Sequence, residues 1–389
     1  MSWLSVNPTN EKIAFIGDYL SNYFSFSELC ARFNVSRQAG YRLVVRYFTE
    51  GVEAIKPQSR RPHTCPHQTP PEVELALVAV RQTHPSWGAK KILEIYRRKN
   101  PALILPARST TCDIIRRNGL IIKHRRRPSL VHPGRPITDP NKPNILWAAD
   151  FKGEFKTQNG IYCYPLTVTD DYSRYILGCK GLLKARTADT KKVFTRLFKT
   201  YGLPDRIKTD NGAPFATIAL GRLSRLSIWW IRLGIIPELI EPGQPQQNGR
   251  HERMHKTLKA ETTRPPAGNL AQQQLRFNKF VQEFNNDRPH EALDMKMPAE
   301  VYKPSCREMP DKLPPMDYPG HYIVRKVSRN GGVRWKHRWI RASHNLGEEF
   351  IGFEEIDNGV YEVYFGPVYL GRFFEEEFKI IPRIAGEET

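Results

Sequence analysis

ILWAADFKGEFKTQNGIYCYPLTVTDDYSRYILGCK, residues 145–180, decides how the middle of this 389-residue chain folds. β-formers dominate 145–155, 161–169 and 174–180. The breaks between these runs are Asn159-Gly160 and Asp170-Asp171-Tyr172-Ser173. Asn-Gly between two such runs is a strong hairpin signal, because both residues tolerate positive φ. The segment therefore predicts a three-stranded meander. Downstream the pattern alternates. A helix over 189–201 ends at Gly202-Leu203-Pro204, and a strand over 205–209 ends in Thr209-Asp210-Asn211-Gly212. Next come a helix over 216–233, a strand over 235–240, the loop EPGQPQQNG and a helix over 246–263. A meander and then alternating helix and strand imply a mixed α/β sheet. A further apolar-periodic helix, 269–287, packs on that core through Leu275, Phe280, Val281 and Phe284.

Working outward, the chain is multidomain, α and α/β. Residues 1–55 read as a helix-turn-helix DNA-binding domain, with helices over 11–24, 28–33 (capped by Ser27) and 37–48 (capped by Ser36). In that motif the second helix of the pair enters the major groove, so Arg37, Gln38, Tyr41, Arg42 and Arg46 are the expected DNA contacts. Residues 56–71 are a Pro-rich basic linker. Its His63, Cys65 and His67, with His84 beyond, lack the paired spacing of a zinc site. Residues 72–122 predict a second helical DNA-binding domain, with helices over 72–83, 88–99 and 109–118, the last capped by Ser109. Residues 123–142 form another basic linker, whose Arg125-Arg126-Arg127 is expected along phosphates.

The formal charge is +20 and the pI about 9.7, which favours a polyanionic partner, nucleic acid first. The apolar run Ile228-Trp229-Trp230-Ile231 is broken by Arg232, and MSWLSVNPTNEK lacks a signal-peptide core. No membrane partner is expected. The six scattered cysteines suit reduced thiols in a cytoplasm.

Phosphodiester cleavage without a covalent intermediate needs an activated water and a stabilised leaving oxygen, which two metal ions can supply together. Mg²⁺ prefers carboxylate and water oxygens. Three acids fit such a site. Asp150 lies on the first strand, Asp210 at the end of the 205–209 strand, and Glu252 early in the helix after the QQNG loop. Asp171 is the first rival, with Asp170, Glu154 and Glu241 behind it. Lys256 and Lys259 come after Glu252 at i+4 and i+7 on one helix face, suited to a phosphate chain. Asn248, Arg250 and His251 flank the acid as candidate DNA contacts, with packing beside the acid as the other role for His251.

Residues 318–389 carry a C-terminal β module. Val333 to Arg341 alternates as one strand, with Arg334, Lys336 and Arg338 on one side and Trp335, His337 and Trp339 on the other. Seven Lys/Arg and no acid fall between Arg325 and Arg341. A small β-barrel with one DNA-contacting strand is expected.

WAADFKGEF, DDYSRYI, KTDNGAPF and EPGQPQQNGRHERMHKTLKAE resemble the catalytic core of the retroviral-integrase superfamily. RPHEAL (288–293), MPAEVY (297–302) and GRLSRLSIWWIRLGI (221–235) resemble DDE-type transposases of bacterial insertion sequences. The resemblance covers about 145–302 well and 26–48 loosely. It implies an RNase H-like mixed α/β catalytic core over 143–304, and Asp150, Asp210 and Glu252 as the acidic triad holding two Mg²⁺ (or Mn²⁺) ions. It also implies substrate-DNA contacts at Lys256 and Lys259, a C-terminal β-barrel of the recombinase kind, and a homo-oligomer on paired DNA ends in a bacterial cytoplasm, at the nucleoid when DNA-bound. The activity it implies is nicking of double-stranded DNA at transposon terminal repeats and strand transfer into target DNA. A departure is the 41 residues between Asp210 and Glu252, more than in the retroviral pattern. The alternatives are a captured, non-catalytic sequence-specific DNA-binding protein, and a nuclease without strand transfer.

Overall fold

The computed structural model describes residues 8–56, 68–121, 138–241 and 244–382. Most of the two expected linkers, including His63, Cys65, His67 and Arg125–Arg127, lies outside the described residues. The chain divides into two compact units, Met1–Pro70 and Pro71–Thr389.

The first unit is built on α1 (Pro8–Ser21), α2 (Phe26–Arg32) and α3 (Arg37–Glu50). Helix α2 starts earlier than expected. Ser25, not Ser27, caps it: Ser25 Oγ accepts the Glu28 amide, and the Ser25 amide donates to Glu28 Oε2 at 2.9 Å. Reciprocal capping of this kind satisfies two amides that the first turn otherwise leaves open. Ser36 caps α3 through the Ala39 amide. Between the two helices Asn34 turns the chain with φ at +50°. Phe15, Ile16, Leu29, Leu43 and Val44 form the core. Gly40 lets α3 approach its neighbours, since a Cβ there would meet Cys30 Sγ at 2.9 Å and the Phe15 and Phe26 rings at 3.0 Å.

The second unit opens with α4 (Pro71–Thr83), α5 (Ala89–Lys99) and α6 (Arg108–Arg117), packed around Leu77, Trp87, Ile92 and Ile114. The expected Ser109 cap is absent: Ala107 stands at the N-cap, without a side-chain bond. Ion pairs tie this three-helix module to the remainder of the unit. Lys90 pairs with Glu291 at 2.7 Å, Arg98 with Glu300 at 2.6 Å, and Ser86 Oγ donates to Glu261 at 2.9 Å.

The central sheet comprises β1 (Leu146–Phe151), β2 (Phe155–Lys156), β3 (Tyr162–Asp170), β4 (Ile176–Leu182), β5 (Arg206–Thr209) and β6 (Ile236–Leu239). β1 pairs antiparallel with β3 and parallel with β5, and β5 pairs parallel with β6. β2 and β4 both pair with β3. On one side of the sheet, α7 (Thr187–Tyr201) and α8 (Arg225–Arg232) bury Phe194, Phe198 and Trp230 against Trp147, Leu166, Val168 and Ile207. On the other, α9 (Gly249–Thr262) and α10 (Leu270–Asn286) bring Met254, Leu258, Phe277 and Phe280 onto Cys163, Ile176 and Cys179. The short α11 (Pro298–Val301) closes the core.

The expected 216–233 helix is cut back to α8. Gly221 has φ +64°, Ala216 bridges Leu223, and a capping box of Ser224 and Ser227 starts the helix only at Arg225. This excursion lies between Asp210 and Glu252. It packs on the C-terminal module: Leu223, Ile228 and Ile231 share a core with Val333, Ile351, Phe353 and Leu370.

That module contains β7 (Ile323–Lys326), β8 (Gly332–Trp335), β9 (Arg338–Arg341), β10 (Phe350–Asp357), β11 (Val360–Phe365), β12 (Val368–Phe374) and β13 (Lys379–Pro382). Five strands form an antiparallel sheet in the order β13-β12-β11-β10-β7, and β8 and β9 form a separate hairpin on the same core. A bridge between Val327 and Val333 joins the hairpin to the end of β7, so the strands wrap one core as the small C-terminal β module expected from the sequence. The single basic strand over 333–341 is corrected. Lys336 turns the chain with φ +49°, and Trp335 pairs with Arg338, Arg334 with Trp339. Directly paired residues share a face. Arg334 and Arg338 therefore lie on opposite faces of the hairpin, and Lys336 sits in the turn, paired with Glu375.

Candidate active site

β1 and β5 are adjacent parallel strands in the register Ala149↔Thr209. The next residue on each is Asp150 and Asp210, so the two acids leave the sheet side by side at the same edge, one strand spacing apart, roughly 4.8 Å. The Asp210 carboxylate is oriented locally by the Gly212 amide, which donates to Oδ1 at 3.2 Å. Asn211 Nδ2 donates to the Ile240 carbonyl and fastens this turn to the end of β6.

α9 supplies the third side. Asn248, just ahead of it, donates to Asp150 Oδ2 at 3.3 Å, and His255 Nδ1 stands 3.6 Å from the same oxygen. Glu252 lies between these two contacts, one turn from each, and is exposed. Its negative charge, like that of Asp210, acts on Asp150. Burial, then Asp210 beside it, pushes the Asp150 carboxyl up from 3.8 to about 7, against a partial offset from Lys152. Burial likewise raises Asp210.

Beneath Asp150 lies a polar layer that sequence reasoning missed. Thr167 Oγ1 donates to the Asp150 carbonyl at 3.1 Å and contacts His251 Nε2 at 2.7 Å and His255 Nε2 at 2.6 Å. Thr169 Oγ1 contacts His251 Nδ1 at 3.1 Å. A hydroxyl has one proton and two lone pairs. The protons balance when both histidines donate from Nε2 to Thr167 and Thr169 donates to His251 Nδ1. His255 Nδ1 then faces Asp150 Oδ2 as a second acceptor. Burial drives both histidines down, His251 to about 3 and His255 to about 2, so both are neutral. His251 is 1% exposed, which removes it from the candidate DNA contacts. Asp150, His251 and His255 also bring one potential ligand atom each within 4.8 Å of one another.

Among the other expected residues, Lys256 and Lys259 are exposed on the Glu252 face of α9. Asn248 is buried against Asp150 rather than presented to solvent. Arg250 is held away from the acids: it donates to Asp171 Oδ2 at 3.0 Å and to Asp139 at 3.2 Å. Asp171, the rival acid, is buried among cations, with Lys208 Nζ at 3.4 Å besides Arg250. Asp170 accepts from the Asn144 and Ser173 amides and from Ser173 Oγ. Both are satisfied by protein groups. In the N-terminal unit Arg37, Gln38 and Arg42 are exposed on α3. Tyr41 stacks on Phe26 at 3.9 Å, and Arg46 pairs with Glu50.

Residues 140–245 and 233–298 match integrase core domains, and residues 11–63 match a helix-turn-helix domain. Over residues 140–298 the chain is thus similar to integrase core domains. It is similar to the insertion element IS407 uncharacterized 31.7 kDa protein of Burkholderia multivorans, 28% identical over 48% of this chain and 66% of that protein. It is also similar to the insertion element IS476 uncharacterized 39.2 kDa protein of Xanthomonas euvesicatoria, 27% identical over 58% of this chain and 62% of that protein. The chain thus spans just under two thirds of these curated relatives. The HTLV-2 integrase catalytic core domain, solved with magnesium in a trimeric form, aligns with 43% of this chain and all of its own length, at 17% identity and TM-score 0.34. The integrase core carries Asp150, Asp210 and Glu252 within its matched segments. Among the described residues no helix is long and apolar enough to cross a membrane.

Proposed function

We propose that this protein is a DNA transposase of the insertion-sequence kind, which cleaves DNA strands at its element's ends and joins the freed 3′-hydroxyl to target DNA. The observation that carries this reading is the placement of Asp150 and Asp210 at adjacent parallel strand ends, with Glu252 on α9 close enough to act on Asp150. A carboxyl raised to about 7 by burial and by two flanking acids marks a site with more negative charge than its protein surroundings neutralise. Hard oxygen donors from two strand ends and one helix are the donor set that Mg²⁺ or Mn²⁺ prefers. Asp150, Asp210 and Glu252 would hold the metal, which would supply charge neutralisation at the phosphate and a more acidic water. The protein's own residues do the positioning. Asn248 fixes the outer oxygen of Asp150 by its side-chain amide. The Thr167–His251–His255 layer holds β3 and α9 in one register beneath the acids. Lys256 and Lys259, exposed beside Glu252, attract the phosphate chain, and α3 of the N-terminal unit selects the terminal repeats.

The test uses labelled element-end DNA with Mg²⁺, scoring nicked and joined products separately. Asp210→Asn keeps the shape but loses the charge, so both products should fall by orders of magnitude while DNA binding persists. Substantial joining by this variant, still dependent on metal, would place the site elsewhere. Wild-type protein that binds end DNA without cutting it would favour the captured DNA-binding protein. Nicking without joining would favour a nuclease.

A further inference from the structure

On the far side of α9 from Glu252 lies a second charged site. A cavity of about 590 Å³ opens between α5, α9, the β3–β4 turn and the segment after α10. Helical geometry separates it from the acids. Glu252, Lys256 and Lys259 cluster within about 60° of the helix circumference, whereas Arg253, Thr257 and Arg250 lie about 100°, 140° and 160° around it from Glu252, at ~100° per residue. Five cations line the cavity: Lys91 from α5, Arg174 from the turn, Arg250 and Arg253 from α9, and Arg288. The acids on its wall are already engaged. Asp171 is held by Lys208 and Arg250, Glu291 by Lys90, and Asp170 by its amide and hydroxyl donors.

Several of these cations stand in an unfavourable field. Burial, then the Arg288 charge, lowers the Lys91 ammonium to about 8. Burial, then Arg250, lowers Arg174 against an offset from Asp171, and burial lowers Arg288 despite its ion pair with Glu261 at 3.3 Å. His290, on the same wall, is driven down to about 3 by burial and then by Lys91, Arg288 and Arg174. Its Nε2 is buried and has no hydrogen-bond partner. Cations converging on one cavity from four segments of the chain describe a place suited to an anion. Arg288 and His290 belong to the RPHEAL segment, to which the chemistry at Asp150 gives no task.

We propose that this cavity binds a phosphate ester, with its oxygens among Lys91, Arg174, Arg253 and Arg288. Arginine forks and a lysine point charge on several sides suit a tetrahedral oxyanion. The source is either a backbone phosphate of bound DNA or a free nucleotide. Because α5 contributes Lys91, the ligand would also clasp the three-helix module to the catalytic core, adding to the Lys90–Glu291 and Arg98–Glu300 pairs.

The test uses the full chain in EDTA without DNA, so it is independent of the proposed strand chemistry. Melting is followed in inorganic phosphate against chloride at matched ionic strength. Phosphate at tenfold over its Kd should raise the wild-type melting temperature by ~3 °C. Lys91→Met and Arg253→Gln, each first shown to melt cooperatively in chloride, should lose most of that rise, and Arg42→Gln should keep it. Equal stabilisation by phosphate and chloride, or an undiminished rise in both cavity variants, overturns the proposal. A second arm separates the sources. If the ester belongs to DNA, phosphate weakens binding of a short duplex to wild type but not to Arg253→Gln. If it is a free nucleotide, AMP reproduces the stabilisation without displacing the duplex.

Discussion

Replacing Asp150 by Asn should make the metal-free protein more stable, although the same change should abolish DNA cleavage. In the unfolded chain this carboxyl ionises near 3.8, and in the fold near 7, because burial and then Asp210 oppose its charge. Folding thus favours the protonated form. The associated stability is complete below pH 3.8 and is lost as pH rises through about 7. At ~1.4 kcal/mol per tenfold change in proton affinity, holding Asp150 ionised at pH 8 costs about 4 kcal/mol. Asn removes the charge but keeps one oxygen for the Asn248 amide, and imperfect repacking forfeits ~1 kcal/mol. A net gain of about 3 kcal/mol should lift the melting temperature of the larger unit by ~6 °C at pH 8 in EDTA. At pH 4 the gain should vanish. Millimolar Mg²⁺ should stabilise the wild type and leave the variant nearly unmoved, since the variant lacks one of the charges that attract the ion. The assay is calorimetry of both proteins at two pH values, with and without metal. A variant less stable than wild type at pH 8, or stabilised equally by Mg²⁺, would refute the view that Asp150 carries an uncompensated charge.

Three other outcomes are expected. Arg42→Gln, on the exposed face of α3, should narrow the difference in affinity between element-end and random DNA in a competition assay; undiminished discrimination would remove α3 from base recognition. Arg334→Gln should flatten the salt dependence of DNA binding by about one unit, while Lys336→Gln, whose parent lysine pairs with Glu375, should leave the slope unchanged. Equal slopes in the two variants would show that the hairpin does not touch phosphate. Asp171→Asn should cost about 3 kcal/mol in urea unfolding, because Lys208 and Arg250 lose their buried counter-charge. Undiminished stability would mean that the Asp171 ion pairs contribute little.

The central meander was legible because its punctuation is local: Asn159-Gly160 marks one turn and Asp170 to Ser173 the other. Where punctuation is weak, period misleads. Residues 216–220 continue the apolar pattern of α8, but the chain reverses at Gly221 and the helix waits for Ser224. The hairpin β8–β9 hid for a related reason. Its two-residue turn, Lys336-His337, contains neither Gly nor Asn, so the alternation reads straight through it. The acids could be proposed from strand ends and a helix start, since the chemistry dictates those places. The layer beneath them could not, because it depends on contacts between residues more than 80 apart. Its trace in the sequence is the i, i+2 pair Thr167 and Thr169 and the i, i+4 pair His251 and His255. The pairing of Arg250 with Asp171 was hidden for the same reason: nothing local reveals it.

Helix α9 joins these parts, and its faces divide the work. His251, His255 and Leu258 face inward and are fixed by β3 and by the apolar core. Glu252, Lys256 and Lys259 face solvent beside Asp150. Arg250 and Arg253 face the cationic cavity shared with α5. A 14-residue α-helix is stiff on this scale, so a rotation that improves one face displaces the other two. The buried Thr–His contacts set the angle of that rotation, and an anion among the arginines would pull on it from the opposite side. Occupancy of the cavity would therefore bear on where Glu252 stands relative to Asp150 and Asp210, through one rigid element and without a chain of intermediate residues.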